Sequence, residues 1–128
     1  DMVSSNAQER LHVFSGSLNA AQIHEIINAC DVQVVSRFHA MVAALSSCVP
    51  VMVIGWSHKY LEVMECFGQE GMVIDYKEGA LSDVLSRVDR LVAERHELAK
   101  EISEGLPAVR ARSVRQLNFV GNRLKEGT

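Results

Sequence analysis

The sequence predicts an α/β fold: a Rossmann-like parallel sheet of about four strands flanked by helices, followed by two C-terminal helices. Three observations predict it. Up to about residue 74, short apolar runs alternate with segments of helical period across short connections, as in parallel α/β sheets. The run Val51–Ile54 is apolar at every position, as a strand covered on both faces should be. Beyond residue 80 only the helical period persists.

The elements follow in order. His12-Val13-Phe14 is a short strand-like run, ended by Ser15-Gly16-Ser17. Asn19 suits the cap of a helix through Ala20 to Cys30, with Ile23, Ile26 and Ile27 as its apolar stripe. Val32–Val35 is the second strand, and a helix from about Phe38 to Ser47 follows Ser36. Val49-Pro50 breaks that helix, and Val51–Ile54 is the third strand. Gly55-Trp56-Ser57 leads into a helix from about His58 to Phe67, and Met72–Ile74 is the fourth strand. Leu81, Val84, Leu85, Val88, Leu91, Val92, Leu98 and Ile102 then predict one long helix, with Ser82 and Asp83 in its first turn and Gly105 and Pro107 closing it. A last helix is expected from about Ala108 to Leu124, its Arg110, Arg112, Arg115 and Arg123 forming a solvated face.

Composition bounds the function. A chain of 128 residues with 48% hydrophobic and 23% charged residues is one ordinary globular domain, not a disordered segment. No apolar stretch approaches the ~20 residues of a transmembrane helix. No basic segment followed by an apolar run opens the chain, so a cytoplasmic protein is expected, with the inner face of the membrane as a further location. A net charge of -3 argues against nucleic acid as the main partner. Cys30, Cys48 and Cys66 are too few for a disulfide framework and are expected as buried, reduced thiols. No metal-ligand spacing occurs, so no metal and no cofactor are expected.

In open α/β sheets ligands bind beyond the carboxyl ends of the strands. Two successive strand ends here carry Ser36-Arg37-Phe38-His39 and Trp56-Ser57-His58-Lys59. Each places cations or titratable side chains in the first turn of a helix. A helix N-terminus is already partly positive, so a cation there is disfavoured by ~0.3–1 kcal/mol. The arrangement makes sense if an anion sits between the two helix starts, held by backbone N–H groups and by Ser36, Arg37, His39, Ser57, His58 and Lys59. The competing account has Arg37 and Lys59 reaching into solvent and His39 hydrogen-bonded in the core. The two clusters together favour the anion.

These residues also resemble a known family. Cys30-Asp31, an apolar strand, Ser36-Arg37-Phe38-His39-Ala40, then Cys48-Val49-Pro50-Val51 and finally Lys59, twenty residues after His39, are similar to the C-terminal part of the polysaccharide pyruvyl transferases. Phe38 stands where that family commonly has Leu, and Cys48 where Gly is usual. The resemblance spans about Ile23 to Phe67. It implies a fold like the C-terminal half of the two-domain GT-B glycosyltransferases. It also implies that phosphoenolpyruvate donates its enolpyruvyl carbons to two hydroxyls of a cell-surface or exopolysaccharide sugar, releasing phosphate and leaving a pyruvate ketal. By matching position Arg37 and His39 would bind the donor, and Lys59 would hold its phosphate or carboxylate. An acid must protonate the donor's methylene carbon, and His39 is the expected catalytic residue.

On this reading residues 1–104 are the donor-binding domain, with 105–128 a C-terminal helix packed on it. The chain opens at Asp1 and supplies one α/β unit, so it is expected to be part of a longer two-domain enzyme and inactive alone. Its expected partners are phosphoenolpyruvate, a sugar acceptor that lipid-linked intermediates would satisfy, a missing N-terminal domain and, peripherally, the membrane. One alternative is the nucleotide-sugar-binding domain of a GT-B glycosyltransferase, against which stands the absence of any glycine between Ser17 and Ile54. Another is a non-catalytic assembly domain using Trp56 and the basic last helix as contacts.

Overall fold

The structure, a computed structural model, describes residues 5–127. It is a mixed α/β unit around a parallel sheet of three strands, β1 (Gln33–Val35), β2 (Val51–Ile54) and β3 (Val73–Ile74), in that spatial order. Gln33 pairs with Val51 and Val35 with Val53, while Val53 pairs with Val73 and Ile54 with Ile74. All three carboxyl ends therefore meet at one edge of the molecule, at Ser36, Gly55 and Asp75. The short helix α1 (Ser5–Gln8) opens the described chain, and α2 (Ala20–Asn28) precedes β1. Helices α3 (Phe38–Ser46) and α4 (His58–Glu65) make the two crossovers, and α5 (Leu81–Ala93) and α6 (Arg95–Glu126) complete the fold.

Local chemistry explains most boundaries. Asn19 caps α2 as expected, its side chain accepting from Gln22 N–H at 2.9 Å while the Gln22 side chain accepts from Asn19 N–H at 3.0 Å. Asp83 accepts from the N–H of Ala80 and closes the start of α5. β2 is buried along Val51, Met52 and Val53 and anchors a core that includes Met41, Leu45, Met64, Leu91 and Ile102. Arg87 of α5 donates to the carbonyls of Gly71 and Val73, which fastens the short edge strand β3.

Four expectations are corrected. The sheet of the described residues has three strands, not about four. His12–Phe14 is irregular chain outside it, with Val13 79% exposed. A three-residue run forms a strand only by pairing and burying a face, and this one does neither. Met72, expected in the last strand, ends a 3-10 turn instead. The third correction concerns the C-terminal helices. The expected helix through Ile102 breaks at Glu94, and α6 runs unbroken past Gly105 and Pro107, so no separate helix starts at Ala108. Gly105 lies against Phe67, where an added Cβ would stand 3.4 Å from the ring; it permits close approach rather than stopping the helix. Pro107 is exposed and leaves only one carbonyl without its helical partner. Lastly, Cys30 and Cys48 are half-buried but Cys66 is exposed, its thiol donating to Glu62 O at 3.3 Å.

Candidate functional site

β1 and β2 deliver their carboxyl ends side by side, and α3 and α4 start directly beyond them. Arg37 is the N-cap of α3 and Ser57 that of α4. Neither cap side chain hydrogen-bonds into its helix, and neither helix has an acid in its first turn. Both positive helix ends thus remain available to an anion. Ser36, Arg37, His39, His58 and Lys59 are exposed and Ser57 is half-buried. The core position that the competing account gave His39 does not occur.

The two helix starts are joined by a group of rings that the sequence did not mark. The Lys59 ammonium lies 4.9 Å from the centroid of the Phe38 ring and 5.7 Å from that of Tyr60. Phe38 meets His39 edge-on at 6.0 Å and Tyr60 at 5.8 Å. Tyr60 Oη donates to the carbonyl of Ser36 at 3.3 Å. Phe38 is therefore the hub on which Lys59, His39 and Tyr60 converge. Gly55 makes room for the phenol ring: a Cβ there would stand 2.9 Å from Tyr60 Cε2. The signal available in the sequence was aromatic residues three and six positions beyond the ends of β1 and β2, which reads equally well as core.

The residues expected as one cluster fall on two sides of α4. Lys59 and Tyr60 face the start of α3. His58 lines a separate open cleft of about 230 Å³ between the ends of β2 and β3, with Gly55, Trp56, Ser57, Leu61, Val73 and Asp75. Arg37, His39 and Lys59 do not line it. Among the described residues no three His, Cys, Asp or Glu side chains gather as a metal group. None of the described helices is long and apolar enough to cross a membrane.

The family model of the polysaccharide pyruvyl transferases matches residues 2–58. The match includes Ser36-Arg37-Phe38-His39 and supports the resemblance that this segment carries. Arg37 and His39 lie inside the match; Lys59 lies one residue beyond its end. No solved structure matches the chain.

Proposed function

We propose that the chain is the donor half of a pyruvyl transferase, holding phosphoenolpyruvate between the starts of α3 and α4. The observation that carries this is the pairing of two adjacent helix ends without side-chain caps, bridged by Lys59 stacked on Phe38. Arg37 supplies the planar fork that grips a carboxylate or phosphate with two hydrogen bonds. Lys59 supplies a point charge whose position the Phe38 ring fixes. The first-turn N–H groups complete the anion site.

The chemistry follows from the substrate. Protonation of the methylene carbon by His39 makes it a methyl group and leaves C2 with oxocarbenium character. One sugar hydroxyl adds to C2 and loses its proton. The C2–O bond to phosphate then breaks, the second hydroxyl adds in its place, and the ketal and inorganic phosphate leave. Arg37 and Lys59 bear the charge of the departing phosphate. The acceptor is a sugar of a cell-surface or exopolysaccharide, and the reaction belongs at the cytoplasmic face of the membrane where such sugars are assembled.

Calorimetric titration tests the reading. Phosphoenolpyruvate should bind the chain, and Arg37→Ala and Lys59→Ala should each weaken it at least about tenfold, the value of one good charged contact. Because both side chains are exposed, both variants should stay folded, with Arg37→Ala little changed in urea and Lys59→Ala losing no more than the ~0.5–1 kcal/mol of its contact with Phe38. Retained binding in both variants would refute the assignment, as would preference for a UDP-sugar.

A further inference from the structure

We infer that the cleft between Trp56 and Asp75 seats the acceptor as a single pyranose ring; this rests on the donor reading above. Trp56 is the chain's one tryptophan and is 65% exposed at the end of β2, where a large indole gains nothing from water. It forms one wall of the cleft, with Leu61 adding apolar surface and Ser57, His58 and Asp75 adding polar groups. A flat apolar wall facing hydrogen-bonding side chains matches a pyranose, whose axial C–H bonds are apolar and whose rim carries hydroxyls. The volume, about 230 Å³, falls below the ~300 Å³ at which pockets for drug-sized ligands begin, and suits one ring.

Charge separates this cleft from the donor site a few residues away. Asp75 is half-buried, and its Oδ1 accepts the N–H of Lys77 at 2.9 Å, which holds the carboxylate in place. The fixed carboxylate accepts from sugar hydroxyls and offsets the positive start of α4, so the cleft favours a neutral polyol over a nucleotide. The Lys77 ammonium, 5.2 Å from the Trp56 ring centroid, steadies the indole. The hydroxyl of Ser57 makes no capping bond and is open to a sugar oxygen. Most informative is the division at the first turn of α4: Lys59 serves the donor side and its neighbour His58 the cleft. A sugar here would lie beside the donor across one helical turn, with His58 and Asp75 at hand to take the protons its hydroxyls lose.

The lone tryptophan makes the test direct. Its fluorescence would be followed while the full chain is titrated with methyl β-D-galactoside, methyl β-D-glucoside and methyl β-D-mannoside, and separately with UMP. The expected result is a saturable change in the millimolar range with at least one pyranoside. Asp75→Asn should weaken that change at least fivefold while phosphoenolpyruvate affinity, read by calorimetry, stays within twofold. Amide shifts of Trp56→Ala under the same pyranoside should vanish, with its spectrum otherwise folded. Silence from all three pyranosides, or a response to UMP alone, overturns the inference. A pyranoside response without phosphoenolpyruvate binding would leave the sugar cleft standing and remove the donor reading. The reverse pattern would do the opposite.

Discussion

Tyr60 Oη sits 3.3 Å from the carbonyl oxygen of Ser36, so the first turn of α4 is tied to the loop that follows β1. The bond crosses from one strand end to the next and holds Arg37 and Lys59 in a common frame. It is long and exposed, so its contribution to stability is small. Tyr60→Phe should cost about 0.5 kcal/mol in urea denaturation. Phosphoenolpyruvate affinity should fall about threefold by titration, since the loop carrying Arg37 loses its tether. An unchanged affinity would show that the tether does not organise the site.

Phe38, the first residue of α3, supports Lys59 with its ring face. Phe38→Leu should leave the fold intact and lower stability by less than about 1.5 kcal/mol. In a double-mutant cycle with Lys59→Met, the coupling should be about 0.5–1 kcal/mol, the size of an exposed cation–π contact. Additive single effects would mean that the ammonium and the ring share no energy.

Cys48 has φ of 56°, in the left-handed region. It ends α3 in a Schellman arrangement, with Val49 N–H donating to Ala44 O at 2.9 Å and Cys48 N–H to Leu45 O at 3.1 Å. Glycine adopts that backbone without the strain a Cβ brings. Cys48→Gly should therefore stabilise the protein by about 0.5–1 kcal/mol, and Cys48→Val should destabilise it by more than that. Urea midpoints measured under reducing conditions check both signs.

Gln69 is 3% exposed, and its Nε2 donates to Glu101 Oε2 at 2.6 Å, joining the turn after α4 to α6. Glu101→Ala would leave that buried amide with a donor unsatisfied, at a cost of about 1–3 kcal/mol. Glu101→Gln preserves an acceptor and should cost less. Equal losses from the two would show that the carboxylate's charge, not its acceptor role, matters.

Much of this was legible in the residues, for reasons of period and polarity. Val51–Ile54 was placed residue for residue because a fully buried strand has no polar position to blur its ends. The starts of α3 and α4 were placed at Phe38 and His58 because cap-type and charged residues follow an apolar run. What the sequence concealed depended on partners distant along the chain. Gly105 and Pro107 resembled a stop signal, yet the glycine fits against Phe67 and the proline lies in solvent. The break at Glu94 carries no breaking residue at all. Tyr60 escaped notice because its task, reaching Ser36 over Gly55, exists only once β1 and β2 lie side by side. His58 and Lys59 are adjacent in the chain and read there as one cluster, whereas successive residues of a helix point about 100° apart and serve different surfaces.

Pro107 stands in the middle of a helix whose first half is held by Leu98 and Ile102 and whose second half carries Val114, Leu117, Val120 and Leu124 into solvent. The nineteen residues from Ala108 to Glu126 make a lever of roughly 28 Å at 1.5 Å per residue. A bend of only about 10° at the missing hydrogen bond would swing its tip by about 5 Å, as far as one full turn of helix. The far end of α6 is thus the part of the molecule where small angular changes become large displacements.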